Sequence, residues 1–408
     1  MRILAIYRHY WPDSTPHARI LRAILEHLAA AGHQTAVFTA QPGYNGVRHL
    51  QRARREALQG VEVRRVQLIA GRIRWRFARL LDWTYFLLRA VLHALTGPRC
   101  DVIIANSHPP IMMGCALRLI RALRGTPYIY HCQDLHPESA ALAGDLRRGA
   151  LFRLLLRWDT HACRRAERVI VLSHDMVDSL SRRGLSTANV SVINNPPLAV
   201  DPATRVVLPP PFGEPTDAVR FLFAGNLGRF QGLGRLVAAA RMVPDHVRFQ
   251  LIFMGEGAAK TELIAQAGDM LGGRVIFVPH QPVETALAVM RVCDYGIVSL
   301  LADVFRFAYP SKCMMYLSAG CPLLVVVEPH SELARTVEQH GFGHVARSQS
   351  IANTAEAITH AVAERGNWTL ERRQAIAQTS QQLFGEEQML RSWDGLMDPG
   401  AKPMQHAA

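Results

Sequence analysis

The residues best able to do chemistry lie directly after short apolar runs. Residues 221–223 lead into Ala224-Gly225-Asn226-Leu227-Gly228-Arg229-Phe230-Gln231-Gly232, and a helical pattern follows. Glycines in such a turn let backbone N–H groups close on an anion at a helix N-terminus, and Arg229 adds a partner for phosphate. The same residues also suit an ordinary turn with an exposed arginine. The run 249–254 ends in Gly255-Glu256-Gly257, in the equivalent place. Further on, Tyr309-Pro310-Ser311-Lys312 opens a helical pattern that runs to Gly320. Pro and Ser suit a helix start. A lysine in the first turn is opposed by the helix dipole unless the two share an anion; a solvated surface lysine is the plain alternative.

Three more stretches stand out in the first half. Tyr130-His131-Cys132-Gln133-Asp134-Leu135-His136-Pro137-Glu138-Ser139 follows an apolar run and gathers two carboxylates and two imidazoles. Their spacing matches no tight metal-ligand set and no Asp-x-Asp motif accompanies them, so no metal is expected. The early loop from Tyr10 to His17, with Trp11 and Asp13, follows the first apolar run. Arg72, Arg74, Trp75, Arg76, Phe77 and Arg79 interleave arginines with aromatics ahead of an amphipathic stretch. That makeup suits an anchor on an anionic membrane surface. A solvated face is the alternative, and nucleic acid is disfavoured because no binding motif accompanies the charge.

These residues need elements to hold them. Short β-rich runs alternate with helical patterns throughout, which is the sequence form of parallel sheets with crossover helices, an α/β architecture. Strands are expected at 3–7, 35–39, 61–66, 102–105, 128–130, 169–172 and 190–193, with a first helix over 18–31 closed by Gly32. Seven prolines between Asn194 and Asp217 mark a linker. Strands resume at 221–223, 249–254, 275–278, 296–300 and 323–327, and helical patterns at 370–383 and 386–395 close the chain. Ligands bind beyond the carboxyl ends of strands in such sheets, which is where the candidate residues fall.

The strand-Gly-Asn-Leu-Gly turn, the Gly-Glu-Gly, the Tyr-Pro-Ser-Lys helix ending in Ser-Ala-Gly-Cys-Pro, and His330-Ser331-Glu332-Leu333 occur in the order seen in family 4 glycosyltransferases. The chain resembles that family over about residues 1–390, most of all bacterial exopolysaccharide and O-antigen enzymes such as colanic-acid-type fucosyl and N-acetylfucosaminyl transferases. The resemblance implies a GT-B fold, two Rossmann-like doubly wound domains facing a central cleft. It divides the chain into an acceptor-side domain (1–198), a Pro-rich linker (199–217), a nucleotide-sugar domain (218–384), a helix crossing back (385–396) and a tail (397–408).

Carried over residue by residue, Gly225, Asn226, Gly228, Arg229, Gly255, Tyr309, Pro310, Ser311, Lys312 and Glu332 would bind the donor. Trp11, Asp13, His131, Asp134 and His136 would lie on the acceptor side. Asp134, Glu138, Arg229 and Lys312 would be catalytic. One departure is plain: many members carry two glutamates spaced E-x7-E, and the matching positions here are Phe307 and Met315. The implied activity is retaining transfer of a hexosyl or deoxyhexosyl unit from a UDP- or GDP-linked sugar to a lipid-linked oligosaccharide. It needs no cofactor beyond that donor substrate. A nucleotide-sugar epimerase of the same fold, and a non-catalytic partner of a polysaccharide assembly complex, stay open.

Composition sets the outer bounds. The 408 residues are 49% hydrophobic and 19% charged, which excludes a disordered, collagenous or coiled-coil chain. Seven scattered cysteines without a CxxC argue for a reducing compartment. The opening apolar run stops at Arg8 and His9, too short for a secretory signal, and the run 83–95 is broken by Arg89. The expected place is therefore cytoplasmic, peripheral at the inner membrane face. The charge of +13 is concentrated: residues 48–79 hold ten Arg against Glu56 and Glu62, and residues 146–168 seven Arg against Asp159 and Glu167. A field that uneven implies an anionic surface on that side.

Overall fold

The computed structural model describes residues 1–13, 15–43, 50–69, 76–200, 204–347 and 349–397. Contacts divide the chain into two compact units, Met1–Asn194 with Met389–Ala408, and Asn195–Gln388.

The first unit holds strands β1 (Arg2–Ile6), β2 (Gln34–Ala40), β3 (Arg55–Leu58), β4 (Val61–Val66), β5 (Val102–Asn106), β6 (Tyr128–His131), β7 (Arg168–Val171) and β8 (Val190–Val192). Their spatial order is β3-β4-β2-β1-β5-β6-β7-β8. All pair in parallel except β3, which runs antiparallel to β4 at the edge. The helices are α1 (Pro16–Ala30), α2 (Arg76–Thr96), α3 (Met112–Arg124), α4 (Glu138–Leu142), α5 (Ala150–Arg165) and α6 (His174–Arg182). In α1, the Thr15 hydroxyl accepts from the Ala18 N–H, Pro16 opens the first turn, and Leu21, Ile24, Leu25 and Leu28 turn inward at helical spacing.

The second unit holds β9 (Val219–Ala224), β10 (Phe249–Met254), β11 (Val275–Val278), β12 (Tyr295–Ser299), β13 (Leu323–Val326) and β14 (Gly343–Val345), in the order β11-β10-β9-β12-β13-β14, all parallel. Its helices are α7 (Leu233–Met242), α8 (Lys260–Ala267), α9 (Val283–Val292), α10 (Lys312–Ser318), α11 (Glu332–Gln339), α12 (Ile351–Ala363) and α13 (Leu370–Phe384). The last helix, α14 (Glu386–Met397), belongs to the first unit from Met389 onward. There Trp393 is fully buried in the same core cluster as Ile3, Leu25 and Ile104.

Two strands are absent from the sequence reading. β3 reads Arg-Glu-Ala-Leu, without a β-branched residue, and is held by pairing with β4 alone. β14 is only Gly-His-Val, and β13 is its single partner.

The second sheet reverses its winding between β9 and β12, and there the pairing is short. β12 meets β9 only at Tyr295↔Phe221 and Gly296↔Leu222, so the later part of β9 opens on that side. Tyr316 of α10 fills the opening. Its hydroxyl donates to the Leu222 carbonyl at 2.9 Å and accepts from the Ala224 N–H at 2.7 Å. The ring fits because position 296 is glycine; a Cβ there would stand 2.4 Å from the Tyr316 ring. Gly296→Ala is therefore expected to cost about 1–3 kcal/mol through overpacking. A lowered urea midpoint with unchanged far-ultraviolet circular dichroism would show it.

Candidate functional site

By pinning α10 to β9, Tyr316 fixes Lys312. The Lys312 Nζ stands 3.5 Å from the centroid of the Phe223 ring and 3.9 Å from where a Cβ on Gly225 would lie. This amine is buried and has no hydrogen-bond partner among the described residues. Burial lowers it from 10.5 to about 7, with the Cys313 thiol opposing the shift. An ammonium out of water and unpaired is costly. An anion placed beside the amine would restore its charge.

The turn after β9 is shaped by its neighbour. Gly225 N–H donates to Met254 O, and Leu227 N–H to Glu256 O, each at 2.9 Å. A Cβ on Gly255 would stand 1.9 Å from the Gly225 oxygen, and one on Gly257 2.3 Å from the Leu227 oxygen. Gly255 thus has a packing role beside the donor contact expected of it. Gly225 itself has φ +125°, a conformation that favours glycine. Asn226 and Arg229 are exposed, Gly228 is half-buried, and Arg229 lies in a short 3-10 turn, Arg229–Gln231, that precedes α7.

Ser311 does not cap α10 as expected: its backbone is helical and its hydroxyl makes no cap bond. Tyr309 and Pro310 are half-buried just ahead of it. Glu332 is the first residue of α11, behind Ser331, whose hydroxyl accepts from the Ala334 N–H. At the two positions where glutamates were looked for, Phe307 is half-buried and the Met315 sulfur accepts from the Leu198 N–H at 3.1 Å.

In the first unit the winding reverses between β1 and β5. Arg8 and His9 follow β1, and Ser107 and His108 follow β5; the sequence reading missed all four, because only the strand order makes them neighbours. The His9 and His108 rings lie 6.2 Å apart, and Trp83 meets His108 edge-on at 5.5 Å. Burial first, then His9 and Arg8, push His108 down to about 3. Burial also brings His17 and His136 to about 4. Imidazoles held neutral are suited to exchanging hydrogen bonds with hydroxyls.

Several expected acceptor-side residues are committed internally. Both rings nitrogens of His131 are used, Nδ1 with the Tyr7 hydroxyl at 3.1 Å and Nε2 with the Gln133 amide at 2.7 Å, and the residue is buried. Asp13 binds His9 Nδ1 at 2.6 Å and the Gly43 N–H at 3.0 Å. Trp11 lies under the guanidinium groups of Arg22 and Arg52. His136 Nδ1 meets the Ser139 hydroxyl at 2.8 Å.

Glu138 requires the largest correction. Both its oxygens accept from Arg183, at 3.0 and 2.6 Å. The same guanidinium donates to Asp159 at 2.7 Å and to the His136 carbonyl at 3.0 Å. Glu138 therefore braces the loop and is not free to react. Asp134 is the acid of this segment that reaches solvent. Desolvation of its carboxyl lifts it from 3.8 to about 6. Of the basic aromatic segment, Arg72, Arg74 and Trp75 lie outside the described residues, as do the side chains of Arg76 and Phe77, and Ser14 of the early loop. Arg79 lies over the Trp83 ring at 5.7 Å.

The comparisons with known proteins bear on these observations. Residues 17–196 match the glycosyl transferase 4-like domain. WbjE of Pseudomonas aeruginosa, assigned as a glycosyltransferase, is 24% identical over 60% of this chain, and the match spans 62% of WbjE. WcaI of Escherichia coli K12, assigned as a glycosyl transferase of colanic acid biosynthesis, is 24% identical over 83% of this chain and 86% of WcaI. Sucrose-phosphate synthase of Thermosynechococcus elongatus superposes with a TM-score of 0.69 at 20% identity, covering 97% of this chain and 98% of the other. Anabaena HepE in complex with UDP-glucose gives 0.67 at 15% identity, over 97% and 99%.

Two Rossmann-like units, each with its candidate residues at the reversal of its sheet, make the GT-B fold. Residues 17–196 are similar to the glycosyl transferase 4-like domain, in line with the resemblance carried by the motifs.

Lys312 yields a test that needs no substrate. Its native amine holds a proton less tightly than the unfolded chain does, so the residue costs stability below pH 7, and the cost fades as pH rises toward 10.5. Lys312→Met is expected to raise the urea midpoint at about pH 6 and to change it little at about pH 10. A variant less stable than the parent at the lower pH would mean that the amine is paired.

Proposed function

We propose that the protein transfers a hexosyl or deoxyhexosyl unit, with retention, from a UDP- or GDP-linked sugar to a lipid-linked oligosaccharide in exopolysaccharide or O-antigen synthesis. The buried amine of Lys312, without a partner beside Gly225, carries this reading. An anion with two phosphoryl groups would meet Lys312 at the end of β9 and Arg229 on the exposed turn, and fixed positive charge aimed at a leaving diphosphate lowers the barrier to its departure. The anomeric C–O bond to the diphosphate breaks, and a new one forms to the acceptor hydroxyl on the same face. The hydroxyl proton passes to the departing phosphate, so no strong separate base is required. Asp134, in reach of solvent and near neutrality in its titration, would orient the acceptor hydroxyl.

The acceptor class is supported by a surface of the first unit. Helix α3 packs between α2 and α5. Together these helices carry ten arginines, and their only acids, Asp82 and Asp159, are buried. Leu81, Leu88, Leu123, Leu151, Leu154 and Trp158 are exposed among those arginines. Exposed leucines among clustered arginines suit an anionic lipid surface, where each cation contributes about 1 kcal/mol. This moves the proposed membrane contact from the segment around Arg72–Arg79 toward α5. No helix among the described residues is long and apolar enough to cross a membrane.

Two measurements test the reading. Calorimetric titration with UDP, GDP and their sugar conjugates is expected to select one base, to weaken as pH rises above 7 because binding returns the proton to Lys312, and to lose at least about tenfold in affinity in Lys312→Ala. Equal affinity in that variant would remove the diphosphate assignment. In flotation assays, vesicles containing phosphatidylglycerol should carry the protein and phosphatidylcholine vesicles should not; replacing Leu151, Leu154 and Trp158 by serine should abolish the binding. Retention of the triple variant on the vesicles would exclude α5 as the contact.

A further inference from the structure

We propose that His344, His360 and Glu364 form a binding site for a divalent transition-metal ion of zinc type, at the end of the second sheet opposite Lys312. His360 and Glu364 are one helical turn apart at the C-terminal end of α12, a spacing that puts both side chains on one face. His344 comes from β14, so the three residues join an edge strand to the helix that follows it. Their ligand atoms all lie within 4.8 Å of one another.

The distances favour an ion between the groups over direct contact. Each imidazole presents Nε2 to a different oxygen of the same carboxylate, His344 to Oε2 at 3.7 Å and His360 to Oε1 at 3.8 Å. Hydrogen bonds between such groups close to about 2.7–3.2 Å. Two ligands with roughly 2.0 Å bonds to a tetrahedral ion stand about 3.3 Å apart. The two imidazole–carboxylate distances would close by about half an ångström, and the widest separation in the trio, bounded by 4.8 Å, by up to about 1.5 Å, within reach of side-chain rotation at the accessible His360 and Glu364; the fourth position is left for water.

The surroundings keep His344 available. The Tyr295 hydroxyl accepts from Trp368 Nε1 at 2.7 Å and donates to the Ala361 carbonyl at 2.8 Å. Its proton is thereby used, and at 3.4 Å from His344 Nε2 it offers that nitrogen no competing donor. Two imidazoles with one carboxylate suit zinc and its neighbours; magnesium and calcium require more oxygen ligands. Tyr295 opens β12 and Glu364 closes α12, whereas Lys312 follows the carboxyl ends of the strands. The ion would therefore clamp β14 to α12 and take no part in sugar transfer. Chain order hides the trio, because His344 and His360 are sixteen residues apart and belong to different elements.

The test uses the full chain stripped with a chelator, followed by thermal unfolding with zinc or magnesium and visible spectroscopy with cobalt. Zinc should raise the melting temperature at one equivalent and magnesium should not, since an ion that binds only the folded state stabilises it. His360→Ala and Glu364→Gln, both at accessible side chains, should fold normally and lose at least about tenfold in zinc affinity. Cobalt should give the weak bands of a nitrogen–oxygen site without a thiolate charge-transfer band, which separates this trio from the seven free cysteines. Parent-like zinc affinity in both variants, a thiolate band, or no stabilisation by zinc would each overturn the proposal.

Discussion

The pair of hydrogen bonds made by the Tyr316 hydroxyl is the contact on which the second unit's site depends. A doubly wound sheet must part where its winding reverses, and parting exposes backbone groups that cost free energy if buried without partners. Here the exposed groups are Leu222 O and Ala224 N–H, and one phenol satisfies both. Because that phenol is carried by α10, the same contact sets the height of the helix against β9 and places Lys312 over Phe223. Gly296 contributes by absence, since its missing side chain is the space the ring occupies.

The first unit meets a similar need with charge. Arg183 gathers Glu138, Asp159 and the His136 carbonyl around one buried guanidinium, and Tyr130 adds a hydrogen bond to Asp159 at 3.3 Å. Burial alone would lower the arginine's affinity for its proton, but the two carboxylates reverse that and raise it. Such a network is costly to break from either side, because the remaining charges stay buried. The difference from Tyr316 has a physical reading. Glu138, held by Arg183, fixes one end of the short loop whose other end carries Asp134.

The alternation of strands and helices was plain in the sequence, because each parallel strand is a compact apolar run and each crossover helix carries an apolar stripe. The loops after the strands were plain for the same reason. What the chain hides is pairing at a distance. Arg183 looks like any arginine at the end of α6, and its partners lie 24 to 47 residues away. Gly255 reads as a ligand-contact glycine until the Gly225 oxygen is seen beside it. His131 reads as a cleft imidazole until Tyr7 and Gln133 take both its nitrogens. In each case the local pattern was real, but residue type alone does not tell a residue that meets a ligand from one that meets its own fold.

Lys312 and Asp134 show where that distinction can be drawn on physical grounds. Glu138 and Arg183 are buried and paired, so their charges are spent on the fold. Lys312 is buried and unpaired, and burial shifts it downward to about 7. Asp134 is desolvated with no opposing charge among the causes of its shift, and it moves upward to about 6. Desolvation thus moves the two groups in opposite directions, the carboxyl upward and the amine downward. The Phe223 ring face offers the ammonium a partial electrostatic partner, but burial still costs it more than that contact returns, as its downward shift shows. A buried amine at that position, with a glycine beside it and a phenol fixing its helix, is an arrangement that an anion would complete.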